Sequence, residues 1–184
     1  MIKIALSGNI ASGKSLAKDF LINQGYTVFD ADLCAHNLLE NSKEILKYFG
    51  TNSREELAKT VFCDKNKLKK LEEIIHPQVK KELLNFFEEN KNQKLVFAEI
   101  PLLFEANFNT FFDKIIFIYA PDEIRLKRLI ERNNYDTEYA NLRIKSQMSQ
   151  EEKIKKSDYV ILNDSTAENF EIKLKEIIKS LELL

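Results

Sequence analysis

The chain has 184 residues, enough for one domain with a real core, and its 44% apolar and 31% charged residues describe a globular protein, neither disordered nor fibrous. A net charge of −1 excludes a globally basic nucleic-acid binder, and no apolar run approaches the roughly 20 residues needed to cross a bilayer. The first residues lack a signal-peptide pattern, and Cys34 and Cys63 lack C-x-x-C spacing, so the expectation is a cytoplasmic protein with two reduced thiols.

In chain order, Ile2–Ser7 is an apolar strand, followed by a loop from Gly8 to Gly13 and a helix from Lys14 to about Asn23. Thr27–Phe29 is a second short strand that runs into Asp30-Ala31-Asp32. From Leu33 to about Glu89 the pattern is mostly helical, with a break expected near His76-Pro77. Lys94–Ile100 and Lys114–Tyr119 are further strands, the first closed by Pro101. A helix follows Pro121 to about Asn133, a second covers Thr137–Gln147, Tyr159–Leu162 is a fifth strand, and Thr166 to Leu181 closes the chain as a helix. Continuous apolar strands imply burial on both faces and hence a parallel sheet between helices. The expectation is a doubly wound α/β domain over 1–184, with a helical insertion at 33–90 and a helical lid at 133–150.

Gly8-Asn9-Ile10-Ala11-Ser12-Gly13-Lys14-Ser15 matches G-x-x-x-x-G-K-[ST], the P-loop, at every fixed position. The glycines let backbone N–H groups turn inward around phosphate oxygens, and the following helix adds its positive N-terminus. Lys14 would reach the β- and γ-phosphates of ATP, and the Ser15 hydroxyl would be a ligand for Mg²⁺. Half of a supply of only four glycines sits in this loop.

Asp30 and Asp32 fall at the end of the second strand, where open α/β sheets bind ligands. Either can be a general base or hold a metal-bound water, and either can simply cap the next helix. Glu99 is an acidic strand end, suited to assist Mg²⁺ or to face water. Arg125, Arg128 and Arg132 recur at i, i+3 and i+7 and so share a helix face, with Leu126, Leu129 and Ile130 on much of the opposite one. With Arg143 they are four of the chain's five arginines. They read as guanidinium forks for a transferring phosphoryl group or as a solvated stripe. His36 reads as a helix-surface or pocket-lining residue, and Pro101–Glu105 as an acceptor-pocket wall or ordinary core.

The order P-loop, D-A-D (30–32), I-I-H-P (74–77), P-L-L-F-E (101–105), R-L-x-x-R (128–132), R-I-x-x-Q (143–147) and D-Y-V-I-x-N (158–163) resembles the dephospho-coenzyme A kinase family over nearly the whole chain. The resemblance implies ATP-dependent phosphorylation of the ribose 3′-hydroxyl of dephospho-coenzyme A, the last step of coenzyme A synthesis. It implies Asp32 as the base, Lys14 and Ser15 serving ATP and Mg²⁺, and Arg143 as a lid arginine over the phosphates. Asn163 would lie near the adenine, and Asp32, His76, Pro101 and Leu102 would hold the acceptor. Asp32 and Glu99 would reach Mg²⁺ through water. A monomer without nucleic-acid or membrane partners is expected. Asn9, Ala11 and Ser165 stand where the family usually has glycine, so Ala11 must take negative φ or carry strain.

Overall fold

The computed structural model describes every residue but Cys63, and of Phe62 the backbone alone; the expected thiol at position 63 lies outside the described residues. Among the described residues, β1 (Ile2–Gly8), β2 (Val28–Asp30), β3 (Leu95–Glu99), β4 (Lys114–Tyr119) and β5 (Tyr159–Leu162) form one sheet in the order β2-β3-β1-β4-β5. β1 runs parallel to β3, with Ile2 beside Leu95, and parallel to β4, with Ile4 beside Lys114. β4 runs parallel to β5. The expected doubly wound α/β architecture is therefore present. β1 is central, and the chain leaves it toward β2 on one side and returns through β4 to the other. Such a reversal opens a crevice at the carboxyl ends of the strands.

The chain divides into two compact units, one of Met1–Phe29 with Asn90–Leu184 and the other of Asp30–Glu89. In the first unit Ile4, Leu6, Leu95, Phe97, Ile116, Ile118 and Ile161 share one sheet face. Ala17 and Leu21 of α1 (Lys14–Asn23) and Phe170, Leu174, Ile178 and Leu181 of α9 (Ala167–Glu182) cover it. The alternate residues Ala5, Val96, Ala98, Ile115 and Phe117 are buried too, which is why these strands read as unbroken apolar runs. Asp158 anchors the sheet's other end by accepting the Ile115 N–H at 2.8 Å.

The second unit comprises α2 (Ala31–Asn41), α3 (Lys43–Phe49), α4 (Arg54–Phe62) and α5 (Lys65–Glu89). Asp30 and Ser42 cap α2 and α3 by accepting the N–H groups of Leu33 and Ile45. Gly50 ends α3 at φ 76°, the left-handed conformation that favours glycine. Cys34 is a half-buried thiol whose pKa burial pushes up, with Glu82 and then Asp30 adding to the shift.

The break expected at His76-Pro77 does not occur, since α5 continues through Pro77. A proline inside a helix costs about 3 kcal/mol because it lacks the N–H and crowds the preceding turn. Ile74, Ile75, Val79, Leu83 and Phe87 are buried along α5 on both sides of it. Each such residue is worth roughly 1.5–3 kcal/mol when fully buried, so together they outweigh the proline. Gln78 Nε2 also donates to the Ile74 carbonyl at 2.9 Å, next to the Glu73 carbonyl that lacks its helical partner because Pro77 has no N–H.

After β3 come a 3₁₀ turn at Phe108–Phe111, then α6 (Asp122–Asn133), α7 (Thr137–Lys145) and α8 (Gln150–Lys155). α7 is shorter than the sequence predicts, and α8, only six residues long, is too brief to show a helical period. Among the described residues no helix is long and apolar enough to cross a membrane.

Candidate active site

Gly8 ends β1 and Lys14 begins α1, so the phosphate loop is the strand-to-helix turn at the sheet's central crevice. Two of its positions exclude any side chain. A Cβ on Gly8 would stand 2.5 Å from Ser12 Oγ and 2.6 Å from the Ile118 carbonyl of β4. A Cβ on Gly13 would stand 2.1 Å from Asn163 Nδ2, and Gly13 has φ 107°. Gly13 caps α1, so the helix start has no side-chain cap for its first N–H groups. Lys14 Nζ donates to the Gly8 carbonyl at 2.8 Å and lies 3.3 Å from that of Asn9.

The two glycine replacements in the loop are resolved differently. Ala11 adopts φ 60°, so it carries the strain that a side chain brings to this region, about 1–2 kcal/mol. Packing holds it: Ile10 and Ala11 lie against Leu129, Ala140 and Ile144 of α6 and α7. Asn9 does not use positive φ. Its side chain is instead buried, with Nδ2 donating to the Met148 carbonyl at 3.0 Å.

A cleft of about 570 Å³ opens beside the loop, lined by Ala11, Gly13, Lys14, Ser15, Leu16, Arg128, Glu131, Arg132, Asn163, Ser165 and Ala167. The arginine stripe divides here. Arg128 and Arg132 line the cleft, whereas Arg125 is buried at 1% exposure on the side of Leu129, which corrects the expectation of a single shared face. At about 100° per residue, Arg125 lies about 60° from Arg128 but only about 40° from Leu129, so it belongs as much to the buried edge. Its guanidinium pairs with Asp122 Oδ1 at 3.3 Å, and burial pulls its pKa down against that carboxylate's opposing effect. Arg143 stands on α7, half-buried, and is not among the cleft's lining residues.

Asn163 is 4% exposed and clasps the loop. Its Nδ2 donates to the Ser12 carbonyl at 2.7 Å, while its Oδ1 accepts from Arg128 at 3.3 Å. One amide thus ties the end of β5, the loop and a cleft arginine together.

A family model for dephospho-CoA kinase matches residues 2–169. The chain belongs to the dephospho-CoA kinase family. A dephospho-CoA kinase of Listeria monocytogenes serotype 4b is 40% identical over 192 residues, covering 96% of this chain and 95% of the relative. One from Fusobacterium nucleatum is 38% identical, covering 97% of each. Among solved structures, a Thermus thermophilus protein superposes with a TM-score of 0.86 at 36% identity, over 98% of this chain and 97% of its own. Dephospho-CoA kinase from Campylobacter jejuni gives 0.76 at 30% identity, over 98% and 96%. A shikimate kinase from Acinetobacter baumannii, 16% identical with a TM-score of 0.58, shares the fold alone.

The motifs that suggested the dephospho-CoA kinase family occupy distinct places. In P-L-L-F-E, Leu103 and Phe104 are buried while Leu102 is 40% exposed, so the segment is part core and part surface. Pro101 opens this turn. Glu105 forms an ion pair with Lys153 Nζ at 2.6 Å and accepts the Met148 N–H at 3.3 Å. Lys153 has 0% exposure, yet in sequence it is one lysine in E-E-K-I-K-K and carries no mark that separates it from a surface residue. Gln147, the last residue of R-I-x-x-Q, accepts the Ile10 N–H at 2.7 Å through Oε1.

Glu99 is buried and pairs with Lys18 Nζ of α1 at 3.3 Å rather than facing water. In the helical unit, the cap role left open between two aspartates falls to Asp30. Asp32 sits in the first turn of α2, exposed, where a carboxylate complements the helix N-terminus. His36 Nε2 lies 3.3 Å from Glu40 Oε1 one turn on, and His76 is half-buried within α5.

Proposed function

We propose that this chain transfers the γ-phosphoryl group of ATP to the ribose 3′-hydroxyl of dephospho-coenzyme A, giving ADP and coenzyme A. The observation that carries the reading is the meeting of a complete phosphate loop and two guanidinium groups in one cleft of a chain from the dephospho-CoA kinase family. In the proposed step the hydroxyl oxygen attacks phosphorus, the bond to the β-phosphate oxygen breaks, and Asp32 takes the hydroxyl proton, with no covalent enzyme intermediate. Lys14 contacts the β- and γ-phosphates, and Arg128 and Arg132 neutralise charge from the cleft wall, with Arg143 added as the lid arginine. The helical unit with His76, together with Pro101 and Leu102, takes the acceptor. Asn163 acts on ATP through the loop it clasps.

Mg²⁺ suits the donors present. Ser15, which carries a hydroxyl oxygen, lines the cleft. That fits an ion that takes most of its ligands from phosphate oxygens and water. Ser15 would hold it directly, Asp32 and Glu99 through water, and it would supply charge neutralisation at the phosphates. The proposal includes a monomer in the cytoplasm, without nucleic-acid or membrane partners.

The test is an assay of Mg-ATP with dephospho-coenzyme A, product read by mass, beside a panel of nucleosides and an acceptor-free control. A mass gain of one phosphate on dephospho-coenzyme A alone is expected. Preferential phosphorylation of a nucleoside, or ATP hydrolysis indifferent to any acceptor, would overturn the reading.

A further inference from the structure

Of the motif R-I-x-x-Q, the proposed reaction uses Arg143 and leaves Gln147 unemployed. Yet Gln147 Oε1 accepts a hydrogen bond from the Ile10 amide at 2.7 Å, and so reaches the phosphate loop from outside the cleft. We infer that Gln147 is a positioning residue that sets the phosphate loop for ATP, resting on the reading of this loop as the ATP site.

Four observations carry this. An N–H committed to Gln147 Oε1 cannot turn toward phosphate, so the bond decides which amides of the loop face the anion and fixes where the inward turn begins. The next residue, Ala11, is held at φ 60°, a conformation that relaxes unless its neighbours hold it. A cavity of about 210 Å³ is bordered by Asn9, Arg125, Gln147 and Gln150, so beside Asn9 the loop is held by polar tethers as well as by the packing of Ile10 and Ala11. The second tether, Asn9 Nδ2 to the Met148 carbonyl at 3.0 Å, comes from the adjoining residue of the same segment.

The segment itself is firmly held. The Met148 N–H donates to Glu105 Oε1, and Glu105 pairs with the fully buried Lys153. Gln147 also follows Arg143 by four residues, and Ser146 between them keeps helical backbone, so the two side chains leave one continuous arm. The shape of the phosphate loop and the origin of Arg143 are thereby set by a single segment. Misplacing a binding group by about 1 Å can cost about 10²-fold, so the arrangement bears directly on ATP.

The test uses the full chain with Gln147→Met, which keeps the side chain's length and removes the acceptor, and Asn9→Leu, which removes the amide donor of the second tether without adding charge beside the phosphates. Mg-ATP affinity is measured by calorimetry without acceptor, KM is measured for each substrate, and melting is followed. Each variant is expected to weaken ATP about tenfold, the usual worth of one such bond, with the KM for dephospho-coenzyme A within about twofold and melting within a few degrees. Unchanged ATP affinity in a folded Gln147→Met protein overturns the inference. So does a joint fall of ATP affinity, acceptor KM and melting temperature, which would mark a merely structural residue. Should Gln147→Met fail to fold, Asn9→Leu decides by the same criteria. Failure of the proposed reaction would appear separately, as wild-type protein that binds ATP but leaves dephospho-coenzyme A unmodified.

Discussion

The phosphate loop and the helical unit Asp30–Glu89 are built on opposite terms. In the loop, position by position, the backbone dictates the residue: Gly8 and Gly13 have no room for a Cβ, and Ala11 is held at φ 60° by its neighbours. In the helical unit the requirement is collective. Gly50 has nothing within 4 Å of where a Cβ would sit, Pro77 is tolerated mid-helix, and Leu33, Leu46, Tyr48, Leu68 and Leu84 are exposed. The difference teaches that steric demand on single residues is concentrated in the phosphate loop, while the helices are held by a shared apolar face that absorbs local irregularity.

The largest expected effect comes from Lys14→Ala. It removes the charge proposed to meet the phosphates and two hydrogen bonds to loop carbonyls, so transfer should be abolished while the melting curve stays close to wild type. Near-normal turnover at saturating ATP would break the comparison at its stronger end.

Next is Asp32→Asn, which asks whether the helical unit holds any position as demanding as the loop. Turnover should fall by roughly 10²–10⁴-fold, with ATP affinity and melting nearly unchanged. Asp30→Ala should do the reverse, costing about 1 kcal/mol of stability through the lost cap. A folded Asp32→Asn protein with an ordinary kcat would move the search for the base to another carboxylate.

The same substitution in the two regions gives the sharpest contrast and the smallest effects. Gly13→Ala drives a methyl into Asn163, and overpacking of about 1–3 kcal/mol together with the positive φ should weaken ATP by about 10²-fold. Gly50→Ala meets only the backbone penalty, so urea denaturation should register about 1 kcal/mol and ATP affinity should not change. Equal effects on ATP from both would mean that the loop is no more constrained than a helix end.

Legibility in the sequence follows the same division. The P-loop and β4 and β5 can be read almost to the residue, because fixed-position chemistry and short apolar runs between polar neighbours leave few alternatives. Proline punctuation misleads at Pro77, where burial of Ile74, Ile75, Val79, Leu83 and Phe87 outweighs a local rule. The arginine spacing is right about Arg128 and Arg132 and wrong about Arg125, since a three-residue step is ambiguous at the edge of a buried stripe. Contacts such as Glu105 with Lys153, or Gln147 with Ile10, join residues far apart in the chain and leave no local trace.

The parallel pairing of β1 with β3 also bears on how the protein is made. Ile2 meets Leu95, so during synthesis β1 waits about ninety residues for its neighbour, roughly 5 to 20 s at ordinary translation rates. Its core, Ile4-Ala5-Leu6, is apolar on both faces and has no native strand to pair with through that interval. The intervening helices depend mainly on nearby contacts and can form while it waits. The nascent chain should therefore present β1 as a chaperone-binding segment until β3 has cleared the ribosome, and slow codons placed before Leu95 should lower the yield of folded kinase.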